Sequence, residues 1–177
     1  FTIRCAQTGE GILIDAADED DLLGEMCDRA GVNKVITTHG HFDHIGAVVA
    51  LRNKGIDIAV HDSDASMLPS YDSIIHDNDI LEVGKLRFEL LHTPGHTPGS
   101  VSIRMIDTPF LFSGDTLFPG GPGATHFPGG DFKTIMNSIE TRLMTLPKET
   151  IVLPGHGSST TIGNERSSID AWAARGW

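Results

Sequence analysis

Six residues, His39-Gly40-His41-Phe42-Asp43-His44, carry three imidazoles and a carboxylate just beyond the apolar run Val35-Ile36-Thr37. Imidazole nitrogens and carboxylate oxygens are ligands for zinc, iron or manganese. Donors one residue apart in a tight loop fan out toward different points, so His39 and His41 can grip one ion while Asp43 and His44 reach another. Three further donors stand in glycine- or proline-bearing segments: His96 in Thr93-Pro94-Gly95-His96-Thr97-Pro98-Gly99-Ser100, Asp115 in Ser113-Gly114-Asp115-Thr116, and His156 in Pro154-Gly155-His156-Gly157. These seven suit two divalent ions: three histidines on one, Asp43 with two histidines on the other, and Asp115 bridging. Two dications, set against Asp43, Asp115 and a bridging hydroxide, leave the cluster about one positive charge, which suits an oxyanion developing on a carbonyl. Zinc lowers the pKa of a bound water from about 15.7 to about 7, so hydroxide is available at neutral pH.

The elements that must position these donors follow in order. Residues 1–15 read as a hairpin turning at Gln7-Thr8-Gly9-Glu10-Gly11. Asp18 is expected to cap a helix whose Leu22, Leu23, Met26, Cys27 and Ala30 share an apolar face, stopped by Gly31. Residues 34–37 form a buried strand into the histidine loop, a helix follows over 45–54, and residues 56–60 form a strand. Residues 62–79 are polar, contain Pro69 and read as a short helix plus loop. Leu86, Phe88 and Leu90 alternate with Arg87 and Glu89, as on a half-buried strand leading into the His96 loop. Strands follow at 101–105 and 110–112. A long glycine-rich loop then ends at Asp131, which caps a helix carrying Ile135, Met136, Ile139, Leu143 and Leu146 and stopped by Pro147. A strand at 150–153 feeds His156, and a capped helix from near Gly163 closes the chain. Each donor thus sits just past the C-terminal end of an apolar strand, in a loop whose glycines allow sharp turns and whose prolines restrict motion.

Of the other histidines, His61, His76 and His92 read as structural or solvent-exposed, while His126 lies in a loop that could cover the site and touch substrate. Phe118, Phe127 and Phe132 are candidates to line a pocket, with core packing the commoner fate of Phe, and Cys5 and Cys27 read as small buried hydrophobes.

At 177 residues the chain is expected to form a single domain over 1–177 with a core that needs no disulfide. Acidic residues outnumber basic ones by 24 to 13, a formal charge of −11, which disfavours nucleic acid and anionic membrane as partners. No apolar run approaches the roughly 18 residues of a membrane span. The expected partner is a small-molecule substrate, with the protein a monomer or small homo-oligomer. Two cysteines outside any paired motif point to a reduced, cytoplasmic setting. The chain opens at Phe1 in what reads as a strand, so the natural N-terminus is expected to lie further upstream.

The ordered motifs His-x-His-x-Asp-His (39–44), Thr-Pro-Gly-His-Thr-Pro-Gly-Ser (93–100), Ser-Gly-Asp-Thr-Leu-Phe (113–118) and Pro-Gly-His-Gly (154–157) resemble those of the metallo-β-lactamase superfamily. Within it, the chain is similar to the glyoxalase II (hydroxyacylglutathione hydrolase) branch, and Pro128-Gly129-Gly130-Asp131 is similar to a segment of its short, single-domain members. The resemblance implies an α+β fold, a four-layer αββα sandwich of two facing mixed sheets with the metals at one edge. It places His39, His41 and His96 on the first metal, Asp43, His44 and His156 on the second, and Asp115 between them. Full-length glyoxalase II continues past the last motif into a helical domain that helps bind glutathione. Where short relatives often carry Arg-Thr-Asp before Pro-Gly-Gly-Asp, this chain has Ala124-Thr125-His126-Phe127. The thiol half of the substrate is therefore left open.

The leading expectation is a dinuclear hydrolase, with zinc first and iron or manganese as alternatives, cleaving a hydroxyacylglutathione-type thioester with a metal-bridging hydroxide while catalytic Asp43 shuttles a proton. A persulfide dioxygenase of the same fold, with one iron on the His39, His96 and Asp115 positions, is the second reading. A lactamase or lactonase ranks below it, since the best-known lactamase class uses cysteine where Asp115 stands. A nuclease is disfavoured by charge, and a non-catalytic metal module is the remaining class.

Overall fold

A computed structural model describes residues 1–176. The first sheet has the spatial order β1 (Thr2–Arg4), β2 (Gly11–Ile14), β3 (Val32–Ile36), β4 (Asp57–His61), β5 (Ser73–Ile75), with β1 antiparallel to β2 and the rest parallel. Helices make the parallel crossovers: α1 (Asp20–Ala30) joins β2 to β3, and α2 (Phe42–Ile45) with α3 (Val48–Asn53) joins β3 to β4. The second sheet contains β6 (Ile80–Val83), β7 (Leu86–His92), β8 (Val101–Met105) and β9 (Phe110–Gly114). After a small hairpin of β10 (Leu117–Phe118) and β11 (Gly121–Pro122), β12 (Ile151–Pro154) and β13 (Thr160–Thr161) complete the order β13-β12-β9-β8-β7-β6. Only β12 and β9 pair in parallel there. Three helices, α4 (Phe132–Ser138), α5 (Ile162–Arg166) and α6 (Ile169–Arg175), belong to this half. Past α4 the backbone widens into a π-type turn over Ile139–Leu143.

Strand alternation sorts the apolar residues into layers. From β2, β3, β7 and β9, the residues Ile12, Ile14, Ile36, Phe88, Leu90 and Phe112 point between the sheets and pack together. Their neighbours on the same strands point outward. Leu13 and Val35 meet α1 and α3 through Cys27, Val48 and Leu51, while Leu91 and Leu111 meet Ile135, Ile139, Leu143 and Trp172. Each such fully buried side chain contributes about 1.5–3 kcal/mol of transfer free energy. The result is the four-layer αββα sandwich.

Several local expectations differ. Asp18 does not cap α1; Glu19 does, from the left-handed region at φ 54° and without a side-chain bond. Leu22 and Met26 on α1 are exposed, because only the Leu23–Cys27 side of the helix reaches the sheet. The helix expected over 45–54 is two pieces broken around Gly46 and Ala47, and the last helix is also two. Strand β5 lies within the 62–79 stretch that reads as a short helix plus loop, and β6 in residues that the sequence pattern assigns to no element.

Direction matters most for the site. In the first sheet β2, β3 and β4 are parallel; in the second, β8 is antiparallel to both β7 and β9, so β7, β9 and β12 run alike. The residues following these six strands meet at one edge of the sandwich. The backbone joins the two halves there, Val101 N–H donating to the Thr38 carbonyl at 2.8 Å.

Candidate metal centre

All seven donors come together at this edge: His39, His41, Asp43 and His44 after β3, His96 after β7, Asp115 after β9 and His156 after β12. Their donor atoms fall into three overlapping groups, each within 4.8 Å: His39, His41 and His96; His39, His44 and Asp115; Asp43, His44 and His156. His41 Nδ1 and His96 Nε2 are 2.9 Å apart, and His44 Nε2 and His156 Nε2 3.1 Å. A tetrahedral ion with bonds of about 2.0–2.1 Å separates its ligand nitrogens by about 3.3 Å. The Asp115 carboxylate lies between the outer groups, Oδ1 at 3.5 Å from His44 Nε2 and Oδ2 at 3.7 Å from His96 Nε2. On the solvent side Asp43 Oδ2 is 3.0 Å from His156 Nε2.

Supporting groups set which imidazole nitrogen faces inward. Asp15, immediately after β2, accepts from Thr38 N–H at 2.7 Å and Thr38 Oγ1–H at 2.8 Å, and from His44 Nδ1–H at 2.8 Å. With its proton given to Asp15, Thr38 Oγ1 accepts from His39 Nδ1–H at 3.1 Å. His96 Nδ1–H donates to the Ala124 carbonyl at 2.6 Å. His39, His44 and His96 therefore all turn an Nε2 lone pair toward the cluster.

Among the described residues, two atoms there have no hydrogen-bond partner. His39 Nε2 and Asp115 Oδ1 are buried acceptors without a hydrogen bond, an arrangement that costs about 1–3 kcal/mol per group unless something fills it. A divalent cation suits both unpartnered acceptors and the donor chemistry. Space has been cleared for it as well: a Cβ on Gly155 would collide with Asp115 Oδ1 and lie 2.6 Å from His44 Cε1, so only glycine lets the His156 loop approach.

Electrostatics favour the neutral forms of His39, His41 and His96. Burial pushes His39 well below its ordinary value, helped by His44 and the other nearby imidazoles. It lowers His41 and takes His96 down to about 4. His44 is the exception. Burial pulls it down, but the hydrogen bond and charge of Asp15, with Asp115 and Asp43 behind, raise it overall. Burial lifts Asp115 to about 6 against the pull of His44 and His156.

Asp15 and Asp64 escaped the sequence reading. Asp15 has a left-handed backbone at φ 63°, a conformation Asp tolerates and one that clusters at functional sites. Asp64 is fully buried in the short turn Asp62–Met67 after β4. It accepts from Gly40 N–H at 2.9 Å, Gly99 N–H at 2.6 Å and Thr97 Oγ1–H at 2.6 Å, so one carboxylate ties the His39–His41 loop to the His96 loop. Asp15 obeys the same strand-end rule as the seven donors, a signal that could have found it.

The remaining histidines lie outside the cluster. His61 and His92 stack at 4.0 Å, His92 Nε2 donating to the Pro98 carbonyl at 2.9 Å, and His76 is exposed. His126 packs on Phe127 at 4.2 Å. Phe127 is not in the core; it borders the donors, as does Phe42. Phe118 and Phe132 are half-buried, and both cysteines are buried and free.

Two facing mixed sheets with helices outside, and a histidine-carboxylate cluster at the strand ends, define a divalent-metal-binding αββα protein. A sequence profile of the metallo-beta-lactamase superfamily matches residues 3–156, and the chain belongs to that superfamily. Hydroxyacylglutathione hydrolase GloC of Haemophilus influenzae is 35% identical to it, the match covering 88% of this chain and 84% of that protein. Among solved structures, the BLEG-1 B3 metallo-beta-lactamase superposes with a TM-score of 0.83 at 32% identity, covering 94% of this chain and 90% of that one. ETHE1 from Myxococcus xanthus gives 0.82 at 33%, covering 93% and 75%. Among the described residues no helix is long and apolar enough to cross a membrane.

Proposed function

We propose that this chain is a metal-dependent hydrolase of small-molecule thioesters that works with two divalent ions, zinc by preference. The observation that carries the reading is the convergence of seven donors in overlapping groups around two unpartnered buried acceptors. His39, His41 and His96 would hold one ion, Asp43, His44 and His156 the other, with Asp115 between them. Bound there, the ions would supply a nucleophilic water at neutral pH and polarise the thioester carbonyl. The chain's own groups do the rest. Asp15, Thr38 and the Ala124 carbonyl keep the imidazoles aimed inward. Asp43, partly solvent-facing and beside His156, takes the proton released as water adds to the carbonyl carbon on the carboxylate oxygen that is not holding an ion. The C–S bond breaks with its electron pair on sulfur, giving a carboxylic acid and a thiol; a thiolate leaves without a strong general acid. The 35% identity to GloC supports a thioester as substrate.

The test is thiol release from acyl-glutathione and acyl-N-acetylcysteamine thioesters by protein of measured metal content. Two ions per chain and metal-dependent thiol release are expected. Asp115→Ala should lower metal content and cut turnover by at least ~100-fold. Two outcomes refute the reading: β-lactam hydrolysis with no thiol release, in keeping with the likeness to BLEG-1, or one iron per chain with oxygen uptake on a persulfide, a reading compatible with the ETHE1 likeness.

A further inference from the structure

The donor cluster opens into a cavity of about 180 Å³ lined by His41, Phe42, Asp43, His96, Asp115 and Phe127. Four of these six are donors in the cluster. The other two are phenylalanines, and neither has its ring in the core: Phe42 is 84% exposed and Phe127 45%. Single exposed apolar residues are common, but these two border one cavity from different elements. Phe42 is the first residue of α2, between His41 and Asp43, and Phe127 lies between β11 and α4. The Phe127 ring stands edge-on to His41 at 5.4 Å and to His96 at 6.4 Å, with the His126 ring packed against it.

This placement is held in position. On one side of Phe127 the Ala124 carbonyl accepts from His96 Nδ1–H at 2.6 Å. On the other, Gly130 N–H donates to the Phe127 carbonyl at 2.9 Å and Asp131 N–H to the Gly95 carbonyl at 2.8 Å. The Phe127 segment is thus fastened on both sides to the loop that carries His96. Among the described residues lining the cavity, no side chain offers a hydroxyl, an amide, a lysine or an arginine. Every polar side chain there belongs to the donor cluster, so a hydroxyl on the acyl chain would find no partner of its own.

We infer that Phe42 and Phe127 are the walls of the acyl subsite and that the preferred substrate is a thioester of an apolar acyl group, straight-chain or aromatic, not of a short hydroxy acid. Part of the cavity's about 180 Å³ would be taken by the ions and water that its four donors hold, and the remainder suits a chain of a few carbons with hexanoyl at the upper end. This rests on the thioester reading above and deepens it.

The test holds the thiol constant. Acetyl, butanoyl, hexanoyl, octanoyl, phenylacetyl and lactoyl thioesters of N-acetylcysteamine are compared with metal-loaded protein by thiol release. kcat/KM should rise about three- to fourfold per methylene, roughly 100-fold from acetyl to hexanoyl, then level off at octanoyl, with lactoyl no better than butanoyl. Phe127→Ala and Phe42→Ala should flatten that slope. An independent readout needs no turnover: saturation-transfer NMR of hexanoate with chelator-treated protein should show transfer to the chain methyl, and Phe127→Ala should abolish it. A flat chain-length profile in the native protein, a lactoyl preference of tenfold or more, or an unchanged slope in both variants overturns the acyl subsite while leaving thioester hydrolysis standing. A dimer that dissociates in Phe42→Ala also overturns it, by giving the exposed rings a different partner. If no thioester in the series is cleaved, the reading of the reaction falls and the subsite with it.

Discussion

Replacing Asp64 by asparagine keeps the shape of the side chain and changes one oxygen into a donor. The site cannot use a donor: Gly40 N–H, Gly99 N–H and Thr97 Oγ1–H all point at the carboxylate. The amide oxygen can take the Oδ2 position and keep Gly40 and Thr97, which leaves its NH2 facing Gly99 N–H. One charge-assisted bond, worth about 1.5–3 kcal/mol, is lost, and a buried donor is left unpaired at about 1–3 kcal/mol more. The two costs together span about 2.5–6 kcal/mol, and ~3 kcal/mol, near the lower end, is the conservative expectation. For a chain of this length that is a fall in Tm of about 6–12 °C. The assay is urea and thermal unfolding of chelator-treated protein, so that metal does not contribute, followed by metal affinity from chelator competition. Affinity should drop about 10–100-fold, as when an outer partner of a metal ligand is removed. An Asp64→Asn protein that unfolds within about 0.5 kcal/mol of the native one and binds metal equally well would refute the idea that this carboxylate holds the two ligand loops in register.

Two other perturbations probe separate links. Gly155→Ala puts a Cβ into Asp115 and His44 at a position whose backbone is not left-handed; metal retained after dialysis should fall at least ~10-fold with the circular dichroism spectrum unchanged, and full retention would show that the loop yields. Asp77 is pushed up by burial, but the two-pronged Arg142 contact at 2.7 and 2.8 Å and the His92 N–H outweigh this and hold it below the usual carboxylate range. Its stabilising contribution is then complete above about pH 4, the unfolded value, and lost as pH falls through the lower folded value. The stability gap between native protein and Asp77→Asn, read from urea curves, should stay level from pH 5 to 8 and close on acidification; a gap that widens in acid would contradict the sign.

The seven donors were legible because each follows an apolar strand and sits among glycines or prolines, a local pattern that survives without knowledge of the fold. Asp15 follows Ile12-Leu13-Ile14 in the same way, but it was hidden at the end of what read as a plain hairpin. Asp64 gave no such signal. It stands in a polar stretch with Asp62 and Ser63, where a solvated turn and a buried tie look alike until Gly40 and Gly99 are brought to it. Phe42 was passed over because its neighbours were the stronger signal, and for Phe127 a place at a pocket ranked below core packing on residue type alone. Strand β5 is three residues long, too short for a period-2 pattern. Its neighbourhood is held from outside, by Asp72 accepting from Ile58 N–H at 3.0 Å and from Arg52 at 2.8 Å. The layered architecture was readable only through the family motifs, since which sheet a strand joins depends on contacts far apart in the chain.

The donors are divided between the two sheets: four follow β3 of one, and three follow β7, β9 and β12 of the other. Neither half by itself offers any of the complete donor groups around His39, because His96 and Asp115 arrive only with the second sheet. A chain emerging from the ribosome makes the first half early, yet the groups around His39 stay incomplete until His96 and Asp115 follow β7 and β9, and the group at Asp43 and His44 until β12 brings His156. An ion held across this seam would act as a rivet, stabilising the finished state by an amount that grows with the free metal concentration. Starving the growing cell of metal would accordingly shorten the lifetime of the whole protein, through the opening of one sheet from the other, before it diminished anything that could be assigned to a single residue.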